Sequence, residues 1–253
     1  MSDYRIVSYP ERPDLATIAD DTNSAAWPAF MLEDAIANRL WNRLADDLPD
    51  YQFMMIDSDD NIIATGNSMP FVWDGRYESL SDDGWDWVMV SGFEALDSGK
   101  TPTAVSALSI SILPEYQGQG ISRRMVTFMR DNARRHGLHD LFAPVRPNQK
   151  PAYPLTPIDR YITWTNDEGA PFDPWLRVHW RLGAQIIKPA PRSMVIEGSV
   201  ADWEQWAGMR FPESGDYVVP GALNPVSIDR EADLGRYVEP NVWMHHRFGD
   251  STP

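Results

Sequence analysis

The sequence predicts an α/β fold in which strands and helices surround one sheet, with a C-terminal extension packed on the same body. Two observations carry this. A β-rich run, a glycine-bearing turn, an amphipathic segment and a short apolar run follow one another between Thr103 and Val145, the order of a βαβ-like unit. The chain has 253 residues, of which 43% are hydrophobic and 23% charged, enough to bury a proper core without staples. No repeat or low-complexity tract divides it, so residues 1–198 are expected to form the main domain and 199–253 the extension.

Tyr4 to Tyr9 alternates and stops at Pro10, which suits a first strand. From Pro13 through Asp47 the pattern is mostly helical: Phe30, Leu32, Ile36, Leu40, Trp41 and Leu44 recur at helical spacing, and Pro49 closes the segment. Tyr51 to Asp57 and Ile62 to Trp73 read as two strands joined by Ser58-Asp59-Asp60-Asn61. A polar loop and a helix carrying Trp85, Trp87, Val88, Val90, Phe93 and Leu96 follow. Thr103 to Leu113 is β-rich and ends at Pro114.

From Gly120 to His136 the positions Ile121, Met125, Phe128, Met129 and Ala133 share one helical stripe, and Gly137 is a natural stop. Leu141 to Val145 follows as a short buried strand. Beyond Pro147, prolines and aromatics interleave up to Phe172, a composition that suits an ordered flap. Asp173-Pro174 opens a helix through Leu182, with Asp173 as N-cap and Pro174 at the first helical position. Ala184 to Ile187 and Ser193 to Glu197 read as strands, Val200 to Trp206 as a short helix, and Tyr217 to His246 as strand and turn.

Composition narrows function by exclusion. A net charge of −15 repels nucleic acid phosphates and anionic lipid surfaces, so the expected partner is a cationic or neutral small molecule. No run approaches the roughly 18 apolar residues that span a bilayer. Met1-Ser2-Asp3-Tyr4-Arg5 lacks the basic and apolar regions of a signal peptide, and the expected location is cytoplasmic. The absence of cysteine removes disulfides, thiolate catalysis and cysteine-based zinc sites. His136 and His139, and the adjacent His245 and His246, lack a third ligand at metal spacing, so no metal is expected. No serine lies in a G-x-S-x-G elbow.

The turn Pro114-Glu115-Tyr116-Gln117-Gly118-Gln119-Gly120-Ile121-Ser122 bears most on function. Bare backbone N–H groups at a helix N-terminus, together with the macrodipole, suit a phosphate or pyrophosphate. The turn matches neither the dinucleotide fingerprint G-x-G-x-x-G nor the P-loop. Five arginines, Arg123, Arg124, Arg130, Arg134 and Arg135, follow in an otherwise acidic chain. Arg123 and Arg124 lie near enough to the turn to assist a polyphosphate, while the later three read as the solvated face of the helix.

The turn resembles the acyl-CoA-binding motif of the GNAT N-acetyltransferase superfamily, [QR]-x-x-G-x-[GA]. Gln117, Gly120 and Ser122 occupy its three defined positions, Ser122 replacing the usual Gly or Ala with another small residue. The resemblance implies a mixed, mainly antiparallel central sheet flanked by helices, and acetyl-CoA or another acyl-CoA as co-substrate. It implies that Gln117, Gly118, Gln119, Gly120, Ile121, Ser122 and Arg123 hold the pyrophosphate. By the same resemblance, backbone groups of Ile110 and Ile112, on a strand splayed from its neighbour, pair with the pantetheine arm.

His179-Trp180-Arg181-Leu182-Gly183-Ala184 is similar to the family's Y-x-x-x-G-[FA] segment, whose Tyr often protonates the departing thiolate. Here His179 holds that position, and an imidazole with a pKa near 6.5 can do the same work. The alternative is a packed or surface histidine. Thr103 to Ile112 contains no carboxylate to act as base, leaving Asp86, Glu94 and Asp97 on the preceding helix. Of eleven tryptophans, Trp73, Trp85, Trp87, Trp164, Trp175 and Trp180 are placed to line an acceptor pocket, with core packing as the default for each.

The resemblance thus implies acyl transfer, chiefly acetyl, from acyl-CoA to the primary amine of a small molecule by direct attack. Two other readings stay open: a non-catalytic acyl-CoA sensor or scaffold, and an interaction protein whose proline-aromatic segment and tail form a homodimer surface.

Overall fold

The computed structural model describes residues 4–24 and 27–248. The reading of residues 1–3 and the last residues of the expected extension, 249–253, lie outside the described residues. The sheet begins with β1 (Arg5–Ser8), β2 (Gln52–Ile56), β3 (Ile62–Phe71) and β4 (Ala104–Ile112), each antiparallel to the one before. The fifth strand, β5 (Asp140–Val145), is parallel to β4. The chain then supplies β6 (Gln185–Gly198), β7 (Gly215–Tyr217), β8 (Val226–Asp229) and β9 (Leu234–Arg247).

Strand β9 pairs along one edge with β6, and along the other with β8 at Leu234–Arg236 and with β5 at Val242–Arg247. Residues 234–247 of the expected extension are therefore an interior strand of the one sheet. The two strands expected on either side of Lys188 to Arg192 form one long β6, whose register against β9 slips between Ala190 and Met194 to accommodate Pro191 and its neighbours.

Helices cover both faces. The expected helical segment 13–47 is broken: α1 (Ala16–Ser24) is followed by a 3-10 turn at Ala29–Glu33, then α2 (Ala35–Leu40) and α3 (Asn42–Asp47). Pro28 precedes the 3-10 turn and Asp34 caps α2, accepting from Ala37 N–H at 2.7 Å, so local chemistry restarts the helix. Against the same face lies α4 (Gly84–Asp97), while the opposite face carries α5 (Ile121–Arg135) and α7 (Pro174–Arg181). Gly66 on β3 has no room for a side chain, because an added Cβ would collide with the Phe53 ring beneath Met125 of α5.

The insertion before α7 carries a short α6 (Ile158–Tyr161) and builds its own apolar cluster, with Tyr153, Tyr161, Trp164 and Phe172 packed edge to face. Lys150, fully buried, ties this insertion to the loop before β8 by donating to the Tyr153 and Leu223 carbonyls at 2.9 and 2.6 Å. Asp173 caps α7 as expected, accepting from Trp175 and Leu176 N–H, and also receives the Tyr161 hydroxyl at 2.9 Å. The remaining helix, α8 (Val200–Ala207), opens with a Ser199/Asp202 capping box.

Candidate active site

The site begins where β4 and β5 part. They pair only at Val105↔Leu141 and Ser106↔Phe142. Beyond that point a cavity of about 850 Å³ opens between Ala107–Ile112 on one strand and Ala143–Val145 on the other. Its walls include Ile121 and His179 from one face of the sheet and Trp85 and Glu239 from the other, so the cavity threads the sheet. A separation of two interior strands is what permits this, since a fully bonded ladder leaves no passage.

The β4 backbone is prepared on its open edge. Its register against β3 passes from Asn67↔Ser109 to Ser68↔Ala107, leaving Leu108 as the extra residue of a bulge. Leu113 N–H bonds back to the Ile63 carbonyl at 3.1 Å. Alternation then directs Ser111 and Ser109 toward β3, and the peptide groups of Ile110 and Ile112 toward the cavity. The Ile110 and Ile112 side chains remain packed on the core. The Leu108 carbonyl is taken by the Trp85 indole N–H at 3.1 Å.

At the outer end of β4, Gln117 Nε2 donates to the Ile112 carbonyl at 3.1 Å, locking the glycine turn to the strand. Gly118 and Gly120 have φ of 75° and 77°, and an added Cβ at either would meet no protein atom within 4 Å. Glycine is needed there for backbone conformation and for the free approach of a ligand. Helix α5 starts without any side-chain cap, so its first N–H groups point at the cavity mouth unclaimed. Gln117, Gly118, Gly120, Ile121 and Ser122 line the cavity. This cradle of bare N–H groups, continuous with an unpaired strand edge, fits the pyrophosphate and amide-bearing arm of an acyl-CoA.

The arginines divide differently from expectation. Arg123 is exposed and outside the cavity wall, and Gln119 folds back onto the Glu115 carbonyl at 3.2 Å. Arg124 is bound to the Tyr4 carbonyl. Arg130 is not a solvated side chain: its Nη1 donates to the Leu182 carbonyl at 3.0 Å, just past α7, and its buried Nε has no partner among the described residues.

His179 reaches the cavity from α7 and is 2% exposed. Its Nδ1 lies 2.9 Å from Nε2 of His246 on β9. Burial drives His179 down to about 3, and burial together with the His179 and Arg130 charges drives His246 to about 2. The expectation of an imidazole titrating near 6.5 is thereby corrected, because a ring buried to this extent is disfavoured in its charged form and is neutral throughout the working range. His245, the other half of the adjacent pair, points to the opposite face, between the Tyr77 hydroxyl and Asp140, each at 2.8 Å. Among the described residues no cluster of histidines and carboxylates is placed to hold a metal ion.

None of the three expected base positions lines the cavity. Glu94 and Asp97 are exposed, Asp97 bridging to Arg43 at 2.6 Å, and Asp86 lies behind the wall. The carboxylates that do line it are Asp20 on α1 and Glu239 on β9. Asp20 accepts from the Trp41 indole N–H at 2.6 Å. Glu239, fully buried, pairs with Arg146 at 2.9 Å. Of the expected tryptophans only Trp85 and Trp175 line the cavity, joined by Trp27 and Trp41. Trp41 stacks on Trp85 with centroids 6.2 Å apart. Sequence patterning missed Glu239 because it lies in a tail without a motif, and Asp20 because one acidic residue on a helix carries no signal.

A sheet split between β4 and β5, with a glycine turn feeding a helix N-terminus at the mouth and an aromatic, carboxylate-bearing chamber behind it, defines an acyl-CoA-dependent transferase. The acetyltransferase (GNAT) family model matches residues 13–156, and the chain belongs to that family. It is a GNAT-type N-acetyltransferase with an acyl-CoA as co-substrate. It is similar to the arginine N-acetyltransferase avaD of Aspergillus versicolor, 31% identical over 96% of this chain and 93% of that one. The loading GNATL domain of CurA from Lyngbya majuscula shares the fold with a TM-score of 0.64, at 21% identity over 96% of this chain and 97% of that one. The GphF GNAT-like decarboxylase, solved with isobutyryl-CoA, shares it with a TM-score of 0.56, at 15% identity over 96% and 98%. Among the described residues no helix is long and apolar enough to cross a membrane.

Proposed function

We propose that the protein transfers an acetyl group from acetyl-CoA to the primary amine of a cationic small molecule, arginine or a close analogue, by direct attack of the amine. The observation that carries this reading is the cavity that threads the sheet, with the glycine turn on one side and Asp20, Trp27, Trp41 and Trp85 on the other. Donor and acceptor then meet at the split between the strands without sharing an entrance. The name of the avaD relative supports arginine as the acceptor.

Roles follow from placement. Gln117, Gly118, Gly120, Ile121 and Ser122 cradle the pyrophosphate, with Arg123 and Gln119 outside the wall and able only to add long-range charge or shape. The Ile110 and Ile112 peptide groups pair with the pantetheine arm, and a peptide N–H on this edge polarises the thioester carbonyl. His179, neutral, acts as a hydrogen-bond donor toward the departing sulfur and not as an imidazolium acid. Asp20 keeps one carboxylate oxygen free of hydrogen bonds among the described residues and holds the acceptor's cationic end. Acidity overall, with a net charge of −15, favours the approach of a cation. A cytoplasmic setting suits a cysteine-free enzyme that uses soluble acyl-CoA.

The test is thiol release from acetyl-CoA in the presence of a panel of amines that includes L-arginine. Arginine-dependent release with mass-confirmed N-acetylarginine is expected. Tight CoA binding with no release from any amine would overturn the transferase reading in favour of a sensor.

A further inference from the structure

Arg146, immediately after β5, is held unusually firmly for a side chain on a cavity wall. Its Nε donates to both oxygens of Glu239, at 2.9 and 3.0 Å, and its Nη2 donates to the Gly221 carbonyl at 2.6 Å. Glu239 also receives the Tyr237 hydroxyl at 2.9 Å and the Asn241 amide at 3.3 Å. The carboxylate's capacity is therefore spent inside the protein, and Glu239 is a fixed counter-charge and not a base. A guanidinium carries five N–H donors. With one used on Glu239 and one on Gly221, three remain on the terminal nitrogens, and Nη1 has no partner among the described residues.

The Arg146 side chain is 17% exposed and forms part of the cavity wall, on the same face of the sheet as Trp85 and Glu239. The Trp27 ring, 5.9 Å from the guanidinium carbon, covers it from the α1 side. A pre-oriented guanidinium fork whose own charge is balanced from behind is suited to a second carboxylate arriving from the cavity, since its ordering cost was met on folding.

We propose that Arg146 receives the carboxylate of an α-amino acid acceptor, so that the enzyme distinguishes amino acids from the amines left by their decarboxylation. This rests on the chamber being the acceptor site of the transfer reaction. The acceptor's cationic side chain then points toward Asp20 and the Trp41/Trp85 stack, and its carboxylate toward Arg146.

The test measures affinity directly, on the full chain saturated with CoA, by calorimetry with matched pairs: L-arginine against agmatine, and L-lysine against cadaverine. The acid of each pair should bind about 100-fold more tightly than its amine, and Arg146→Lys and Arg146→Gln should shrink that ratio below about fivefold. Because the readout is a ratio, partial loss of folded protein does not mimic it. A preference that persists in either folded variant overturns the assignment to Arg146, and equal wild-type affinities overturn it whether or not the variants fold. Equal affinities within each pair, or no binding of either member, overturn the proposal. Thiol release separates the two readings: release with equal affinities sinks only the carboxylate site, and an acid preference without release sinks only the transferase.

Discussion

His179 and His246 face each other at 2.9 Å with both rings buried, one on α7 and the other on β9. Two neutral imidazoles sharing a hydrogen bond must divide the roles of donor and acceptor, so the tautomer of one sets that of the other. The buried Nδ1 of His246 has no partner among the described residues, and Arg130, whose charge disfavours a proton on this ring, can only donate. A lone pair is therefore favoured at His246 Nδ1. That leaves Nε2–H of His246 to donate to His179 Nδ1, and Nε2–H of His179 to face the cavity as a donor.

Replacing His179 by Phe removes that donor while keeping a ring in the buried slot. Turnover should fall by about 100-fold or more, with a much smaller loss of acetyl-CoA affinity. Unchanged turnover would remove His179 from the chemistry. Because the ring is already neutral, the wild-type kcat profile should show no inflection near pH 6.5 that disappears in His179→Phe.

The same pair sets an acid limit on stability. In the unfolded chain each histidine takes up a proton as pH falls below about 6.5, whereas in the fold His179 resists to about 3 and His246 to about 2. The unfolded state therefore binds more protons across this window, and stability present above pH 6.5 is lost toward pH 3, on the order of 1 kcal/mol per pH unit for each ring. Urea titrations at pH 7 and pH 5 should show the midpoint falling, and the fall should be smaller in His179→Phe.

Gly120 combines two demands that a substitution separates. Its φ of 77° costs an L-residue about 1 kcal/mol, while nothing in the protein lies within 4 Å of an added Cβ. Gly120→Ala should lower Tm by only a few degrees, whereas Gly120→Glu, which brings a negative charge to the helix N-terminus, should abolish CoA binding in a folded protein. Calorimetric titration with CoA beside a thermal scan reads both effects, and retained affinity in Gly120→Glu would exclude the turn as the phosphate cradle.

How much of this was legible beforehand follows the range of the signals involved. The βαβ-like unit, the N-cap at Asp173 and the turn at Gln117–Ser122 rest on contacts within a few residues, and the structure places them at the expected positions. The His179–His246 pair, the Arg146–Glu239 pair and the aromatic chamber join residues tens of positions apart in the chain. No periodicity reports on such contacts. The tail from Tyr217 was legible as strand and turn, yet its place between β5 and β6 depends on pairing partners that the local pattern does not name. The motif singles out position 179, but the neutrality of His179 comes from burial by distant elements.

Asp86 offers a test of the wall behind the chamber. It sits in the first turn of α4 with Oδ1 buried and unpartnered among the described residues, and burial, reinforced by the charge of Asp34, raises its carboxyl to about 8. In the unfolded chain the group ionises near its ordinary value of about 4. Between these limits the folded state holds a proton that the unfolded state has released, so stability declines as pH rises from about 4 to about 8. Asp86→Asn keeps the shape and cannot ionise, so it removes this decline. The variant should gain about 5 °C in Tm at pH 8 and almost nothing at pH 4.5. A gain of equal size at both pH values would mean that the amide had found a new hydrogen bond. A loss at pH 8 would mean that Asp86 is ionised there and stabilised by its surroundings, and that the fold does not hold its proton.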